Sequence, residues 1–171
     1  MDTPTLEGKK IPSVTLKTRV NGEWKEVSTD EIFGGKKVVI FSLPGAFTPT
    51  CSSTHLPGFD AKYDEIKAAG VDEVYCISVN DAYVMNAWGK DLGIKNVKLL
   101  PDGSGAVTRG LGMMVKKDNL GFGERSWRFS AYVEDGEIKK AFIEPGYSDN
   151  CEDDPFEVSD ADTMLAYLKN K

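Results

Sequence analysis

Three thiols, one imidazole and one run of small turn-forming residues hold most of the chemistry open to this chain. The thiols are Cys51, Cys76 and Cys151, and the only histidine is His55. Cys51 ends the string Ser42-Leu43-Pro44-Gly45-Ala46-Phe47-Thr48-Pro49-Thr50-Cys51. An apolar run stops at Leu43 and a Pro/Gly loop follows. Pro49 suits a helix start, because its missing N–H is one that a first turn leaves unpaired anyway. Cys51 then falls in that first turn, where the positive end of the helix dipole favours thiolate, the nucleophilic form. Thr48, three residues earlier, can bring a hydroxyl near the sulfur. On position alone two readings stand together: an activated nucleophile, or a buried cysteine beside an ordinary turn.

The other polar groups divide in the same way. His55 lies four residues after Cys51, so the two can share one side of a helix. Three roles are open to it: a base for the thiol, a zinc ligand, or a local polar residue beside the site. Zinc takes four ligands, typically in closely spaced pairs; Cys76 and Cys151 have no such neighbours, and no metal is expected. Cys76, inside Val74-Tyr75-Cys76-Ile77, reads as small apolar filler of a buried strand. Cys151 lies in Asn150-Cys151-Glu152-Asp153-Asp154-Pro155, an acidic run that reads as an exposed loop. Such a loop can move, but its carboxylates disfavour the thiolate and slow attack. Arg128, in Ser126-Trp127-Arg128-Phe129-Ser130, shares a strand face with Ser130. It is either a surface arginine paired with a carboxylate or a cation for the thiolate. Arg125 reads as a loop residue.

These residues need a frame. Lys37 to Leu43 is β-branched, aromatic and nearly continuous in apolarity, which suits a central buried strand. Ile11 to Leu16 and Glu23 to Val27 flank Val20-Asn21-Gly22, and Asn-Gly between such runs marks a hairpin. A helix is expected from Cys51 to Ala69, bent or broken at Pro57-Gly58 and stopped at Gly70. Val74 to Val79 reads as a second buried strand. Asp81 caps a helix with an apolar face of Val84, Ala87 and Trp88. Val97 to Leu100 is a short strand ended by a Pro-Asp-Gly turn, and Gly103-Ser104-Gly105 is a turn with no phosphate-loop lysine after it. Trp127 to Glu134 and Glu137 to Glu144 form a second hairpin around Asp135-Gly136. Ser159-Asp160-Ala161-Asp162 resembles a capping box opening a last helix that carries Met164, Leu165 and Leu168. The order is hairpin, βαβαβ, ββ, α, which folds as an α/β mixed sheet with helices on both faces.

Composition bounds the rest. At 171 residues and 40% hydrophobic, the chain is read as a single domain, 1–171, with a sizeable core. A net charge of −6, with no dense Lys/Arg cluster, argues against nucleic acid and anionic membranes as partners. No apolar run approaches the roughly 20 residues of a membrane span, and the N-terminus lacks the basic and apolar stretches of a signal peptide. A cytoplasmic protein is expected.

The string around Cys51 resembles the peroxiredoxin family. Pro44, Thr48 and Cys51 stand in its Pro-x-x-x-Thr-x-x-Cys pattern. The longer run Pro-Gly-Ala-Phe-Thr-Pro-Thr-Cys-Ser-x-x-His-Leu-Pro-Gly-Phe is similar to the type-5 (atypical two-cysteine) branch, and the resemblance runs from about residue 3 to the C-terminus. It implies a thioredoxin-like fold and a thiol-dependent peroxidase acting on hydrogen peroxide and organic hydroperoxides. Cys51 would be the peroxidatic cysteine that becomes sulfenic acid. Thr48 would orient the peroxide, Pro44 would shield the site from water, and Arg128 would match the arginine that the family brings from a later strand. Gly45, Phe47, His55 and Phe122 would belong to the substrate pocket, with Gly121-Phe122-Gly123 near a dimer contact. The thiol is itself the redox centre, so no cofactor is implied. Cys151 lies roughly where some members carry a resolving cysteine. The string from Glu144 to Asp162 is more similar to members recycled by glutaredoxin or glutathione. The expected partner is therefore an external thiol acting through a mixed disulfide, with Cys151 and thioredoxin as the alternative. The family usually forms homodimers. A relay that passes oxidation to a partner thiol is compatible as an added role. A thiol–disulfide oxidoreductase would want a Cys-x-x-Cys pair, and Thr48 and Thr54 flank Cys51 at that spacing.

Overall fold

In the computed structural model, which describes residues 1–171, the hairpin comes first. Strand β1 (Thr15–Val20) pairs antiparallel with β2 (Glu23–Ser28). Asn21 (φ 52°) and Gly22 (φ 79°) are both left-handed, as a two-residue type I′ turn requires. The first strand starts at Thr15 rather than Ile11. Pro12 has no N–H to give a ladder, and Ile11 is used as core instead. Helix α1 (Thr29–Phe33), capped by Ser28, leads into β3 (Lys37–Ser42).

The helical stretch after the Cys51 loop departs from expectation. Its first turn closes with the Ser52 amide on the Thr48 carbonyl. The turn then widens over Cys51–His55, where the Leu56 amide reaches back five residues to the Cys51 carbonyl. Helix α2 (Leu56–Ala61) carries Pro57 within its first turn, where the ring is tolerated, and α3 (Tyr63–Ala68) follows after a break at Lys62 (φ −96°, ψ 5°). The proline is thus absorbed by a wide turn upstream of it, and the break falls beyond Pro57-Gly58.

Strand β4 (Glu73–Ser78) is followed by α4 (Ala82–Asp91), whose cap Asp81 accepts from the Val84 amide. The buried stripe of α4 is Ala82, Met85 and Trp88. Ala87 is exposed and Val84 only half-buried, because the long Met85 and Trp88 side chains fill the interface along an i, i+3 row. Then come β5 (Lys98–Pro101), α5 (Ala106–Gly110), and a two-stranded sheet of β6 (Met114–Lys116) with β7 (Glu124–Ser126). Strands β8 (Phe129–Glu134) and β9 (Glu137–Ile143) turn at Asp135 (φ 47°) and Gly136 (φ 76°), a second type I′ pair. Trp127 and Arg128 lie just ahead of β8. The last helix is α6 (Ala161–Asn170), and its cap is Asp160 rather than Ser159, whose hydroxyl is engaged elsewhere.

The central sheet has the order β5-β4-β3-β8-β9, with β3 parallel to β4 and antiparallel to β8. It is thioredoxin-like, mixed, and sandwiched. Residues alternate between two cores along β3: Val38 and Ile40 face one, Val39 and Phe41 the other. The first core packs under α1, α5 and β6. The second packs under α2, α3, α4 and α6, and it contains Cys51 and Cys76. The site therefore lies on the four-helix side, at the carboxyl end of β3.

Candidate active site

The loop from Leu43 to Thr48 is held by long-range bonds. The Ala46 amide donates to Asn80 Oδ1 (2.9 Å), just beyond β4. Arg125 Nη1 donates to the Pro44 carbonyl (3.1 Å), and Arg125 Nε to the Phe122 carbonyl (3.2 Å). A Cβ at Gly45 would run into that guanidinium, so a larger residue there would displace the Arg125 head from the Pro44 carbonyl. Phe47 takes φ 67°, uncommon for a side-chain-bearing residue, and stands 53% exposed. Thr48 Oγ1 donates to the Gly45 carbonyl (2.7 Å), which leaves its lone pairs free to accept.

Cys51 is fully enclosed. Arg128, 1% exposed, spreads its donors over three groups. Nη2 is 3.5 Å from Cys51 Sγ, and it also reaches both Asp154 oxygens at 2.8 and 3.1 Å. Nη1 reaches His55 Nδ1 at 2.9 Å, and Nε has no partner. Burial works against the guanidinium charge, but Cys51 and Asp154 outweigh it, so Arg128 is held more firmly cationic than a free arginine. Cys76 is equally buried but meets a different field. Burial first, and then Cys51, push its thiol well above the usual range. It behaves as apolar filler, as its sequence context implies.

His55 is fully buried among Phe41, Phe59 and Phe156. It stands behind Arg128 rather than on the pocket wall. Its Nε2 is 3.0 Å from the Ser159 carbonyl. Burial, then Arg128, hold its pKa well below the normal histidine range. Ser159 is itself fixed by Glu144, a buried carboxylate that accepts from the amides of Glu157, Val158 and Ser159 and from the Ser159 hydroxyl (2.6–3.0 Å).

The mouth of the site is a pocket of about 450 Å³ lined by Pro44, Thr48, Phe122, Leu120, Lys117 and Cys151, among others. Of the expected pocket residues only Phe122 is on this wall. Gly45 lies under Arg125, and Phe47 points out of the loop into solvent. Sequence reading passed over Asp154, Arg125, Glu144 and Lys117. Arg125, read as a loop residue, is in β7 and half-buried. Asp154 was one acid in an acidic run, and nothing local marks which of these meets an arginine.

The Redoxin family model matches residues 6–165. Peroxiredoxin sll1621 of Synechocystis sp. is 60% identical over 170 residues, covering 94% of this chain and 90% of the relative. The hybrid peroxiredoxin hyPrx5 of Haemophilus influenzae is 53% identical over 164 residues, covering 96% of this chain and 66% of the relative. Among solved structures, the Plasmodium falciparum antioxidant protein, a 1-Cys peroxiredoxin, superposes with a TM-score of 0.92 at 39% identity, covering 96% of this chain and 99% of that one. No helix of this chain is long and apolar enough to cross a membrane.

Proposed function

The chain belongs to the peroxiredoxins, thiol-dependent hydroperoxide reductases, and from that premise we propose that Cys51 is the sulfur that reacts and that an external thiol restores it. The observation that carries this reading is the contact between Arg128 Nη2 and Cys51 Sγ, 3.5 Å, in a water-poor setting at a helix start. Such a cation favours thiolate and can stabilise charge leaving on the distal fragment of the peroxide. The thiolate attacks the terminal oxygen of ROOH, the O–O bond breaks, and the alkoxide takes up a proton to leave as ROH. Cys51 becomes sulfenic acid. Thr48, with its own hydrogen committed to Gly45, accepts from the peroxide O–H. Pro44, buried at the loop start, keeps water off the sulfur. One thiol then condenses with the sulfenic acid, releasing water, and a second releases the mixed disulfide as a free disulfide. Hydrogen peroxide and small organic hydroperoxides are the proposed substrates.

Glutathione or glutaredoxin is the proposed thiol source. The likeness to a 1-Cys peroxiredoxin supports it. The exposed Phe47 and Leu120 at the rim of the site support a homodimer joined there. Three free cysteines fit a reducing cytoplasm.

One equivalent of hydrogen peroxide added to the reduced protein tests the reading, with intact mass and free-thiol count as readouts. A gain of one oxygen on Cys51, trapped by a sulfenic-acid probe, is expected. Loss of two thiols mapping to Cys51 and Cys151 would instead make Cys151 the resolving residue and thioredoxin the donor. Turnover should vanish in Cys51→Ser and persist in Cys76→Ser. A Cys51 that stays reduced would sink the assignment.

A further inference from the structure

Lys117 is the one lysine that this fold buries, at 3% exposure, and its ammonium makes no hydrogen bond and no ion pair. Its stem is packed away while Nζ lies 5.4 Å from the Trp127 ring centroid and is not sealed from solvent, so the ammonium is open to an anionic partner from outside. Its backbone is tied by the Phe122 amide, which donates to the Lys117 carbonyl (3.1 Å), and by its own amide, which donates to the Gly123 carbonyl (2.8 Å). The residue is therefore set in place, and it lines the pocket that opens between Thr48 and Cys151.

We propose that Lys117 is a carboxylate anchor: it binds the carboxylate of a ligand whose reactive end lies at the mouth of the Cys51 site. The inference rests on the peroxidase reading. The rest of the wall fits such a ligand. Pro44, Leu120 and Phe122 offer apolar surface between the anchor and the loop that ends at Thr48. Glu152 and Asp153 stand on the same wall without an ion-pair partner, so a bare anion is repelled there. An extended molecule that carries its carboxylate past them, especially one that also bears an ammonium group, is accepted. Two ligands of the reaction have this chemistry: a carboxylate-bearing hydroperoxide and a carboxylate-bearing thiol reductant.

Matched pairs separate them. For the peroxide arm, the probes are linoleic acid hydroperoxide and its methyl ester. For the thiol arm, they are glutathione and its diethyl ester. Each is measured as kcat/KM in the wild type, Lys117→Met and Lys117→Arg. In Lys117→Met the carboxylate-to-neutral ratio should fall about tenfold, the loss of roughly one charge-assisted hydrogen bond, and Lys117→Arg should retain most of it. A fall confined to the peroxide arm identifies the substrate as the anchored ligand, and one confined to the thiol arm identifies the reductant. Ratios unchanged in both arms would overturn the anchor. Stoichiometric oxidation of Cys51 by hydrogen peroxide, read by mass in each variant, keeps that result separate from a failure of the peroxidase reading.

Discussion

His55 illustrates how far one residue's state follows from its contacts. Arginine can only donate, so Nδ1, 2.9 Å from Arg128 Nη1, must accept. Nε2, 3.0 Å from the Ser159 carbonyl, must then carry the hydrogen. This is the neutral tautomer, and the lowered pKa agrees with it. A base that must take a proton from Cys51 has no free lone pair here, so His55 positions the arginine instead. His55→Asn keeps an acceptor near Nδ1, whereas His55→Gln keeps a donor near Nε2. Peroxidase turnover should fall about tenfold further in Gln than in Asn, the equivalent of one hydrogen bond to Arg128. The pH dependence has a definite sign. Unfolded, His55 binds a proton below about pH 6.5, while the folded residue resists it. The penalty is absent above that pH and grows as pH falls. Thermal midpoints should therefore drop below about pH 6.5, less steeply in His55→Asn. At this scale the sequence was informative where partners are local: Pro44, Thr48 and Cys51 lie within one loop and turn. Asp154 and Arg128 are far apart in sequence, and no spacing rule joins them.

Among the elements, the segment between β9 and α6 contributes more than its loop-like sequence implies. Glu144 gathers three successive amides and a hydroxyl, and Ser159, so fixed, presents its carbonyl to His55. His55 holds Nη1 of Arg128, and Asp154 in the same segment holds Nη2. A carboxylate that accepts four hydrogen bonds cannot be replaced by an amide without turning a donor toward donors. Glu144→Gln should cost about 3 kcal/mol of stability, measured by urea unfolding, and it should slow Cys51 oxidation even where the protein stays folded. Rapid-mixing fluorescence with hydrogen peroxide would report the second effect; an unchanged rate would mean that the segment is structural only. The hairpins and the sheet were legible because Asn-Gly, Asp-Gly and alternating apolar residues are local signals. The start of β1, the buried stripe of α4 and the cap of α6 were not. Each was settled by tertiary partners: core space for Ile11, the fit of Met85 and Trp88, and the claim of Glu144 on Ser159.

For the molecule as a whole, the enclosure that protects Cys51 creates a difficulty for its recycling. Cys51 has no exposed surface, so even a peroxide reaches the sulfur only as the site breathes, and a protein thiol has nothing to meet. Attack on sulfur needs room along the S–O axis, so the surroundings must open. The sheet is an improbable place for that, because β3 is flanked by β4 and β8 and buried on both faces. The stretch from Pro49 to Ala61 is a better one. Its wide turn at Cys51–His55 is followed by Pro57, which has no amide to return to the helix, and a break at Lys62 separates it from α3. It is tethered by Trp88 Nε1 on Ser52 Oγ (3.0 Å) and by Asp60, which accepts from the amides of residues 95–97. Opening the first turns breaks the Ser52 tether and the two His55 bonds, to Arg128 and to the Ser159 carbonyl, and leaves the Asp60 clasp intact. Hydrogen exchange on Cys151→Ser protein, before and after one equivalent of hydrogen peroxide, should show amides 51–56 exchanging at least about tenfold faster in the oxidised form. Those of β3 should be unchanged. Equal exchange in both forms would mean that the sulfenic acid is reduced in the closed site. Only a small thiol entering by the pocket past Lys117 could then do so, and a protein reductant would be excluded for the first step.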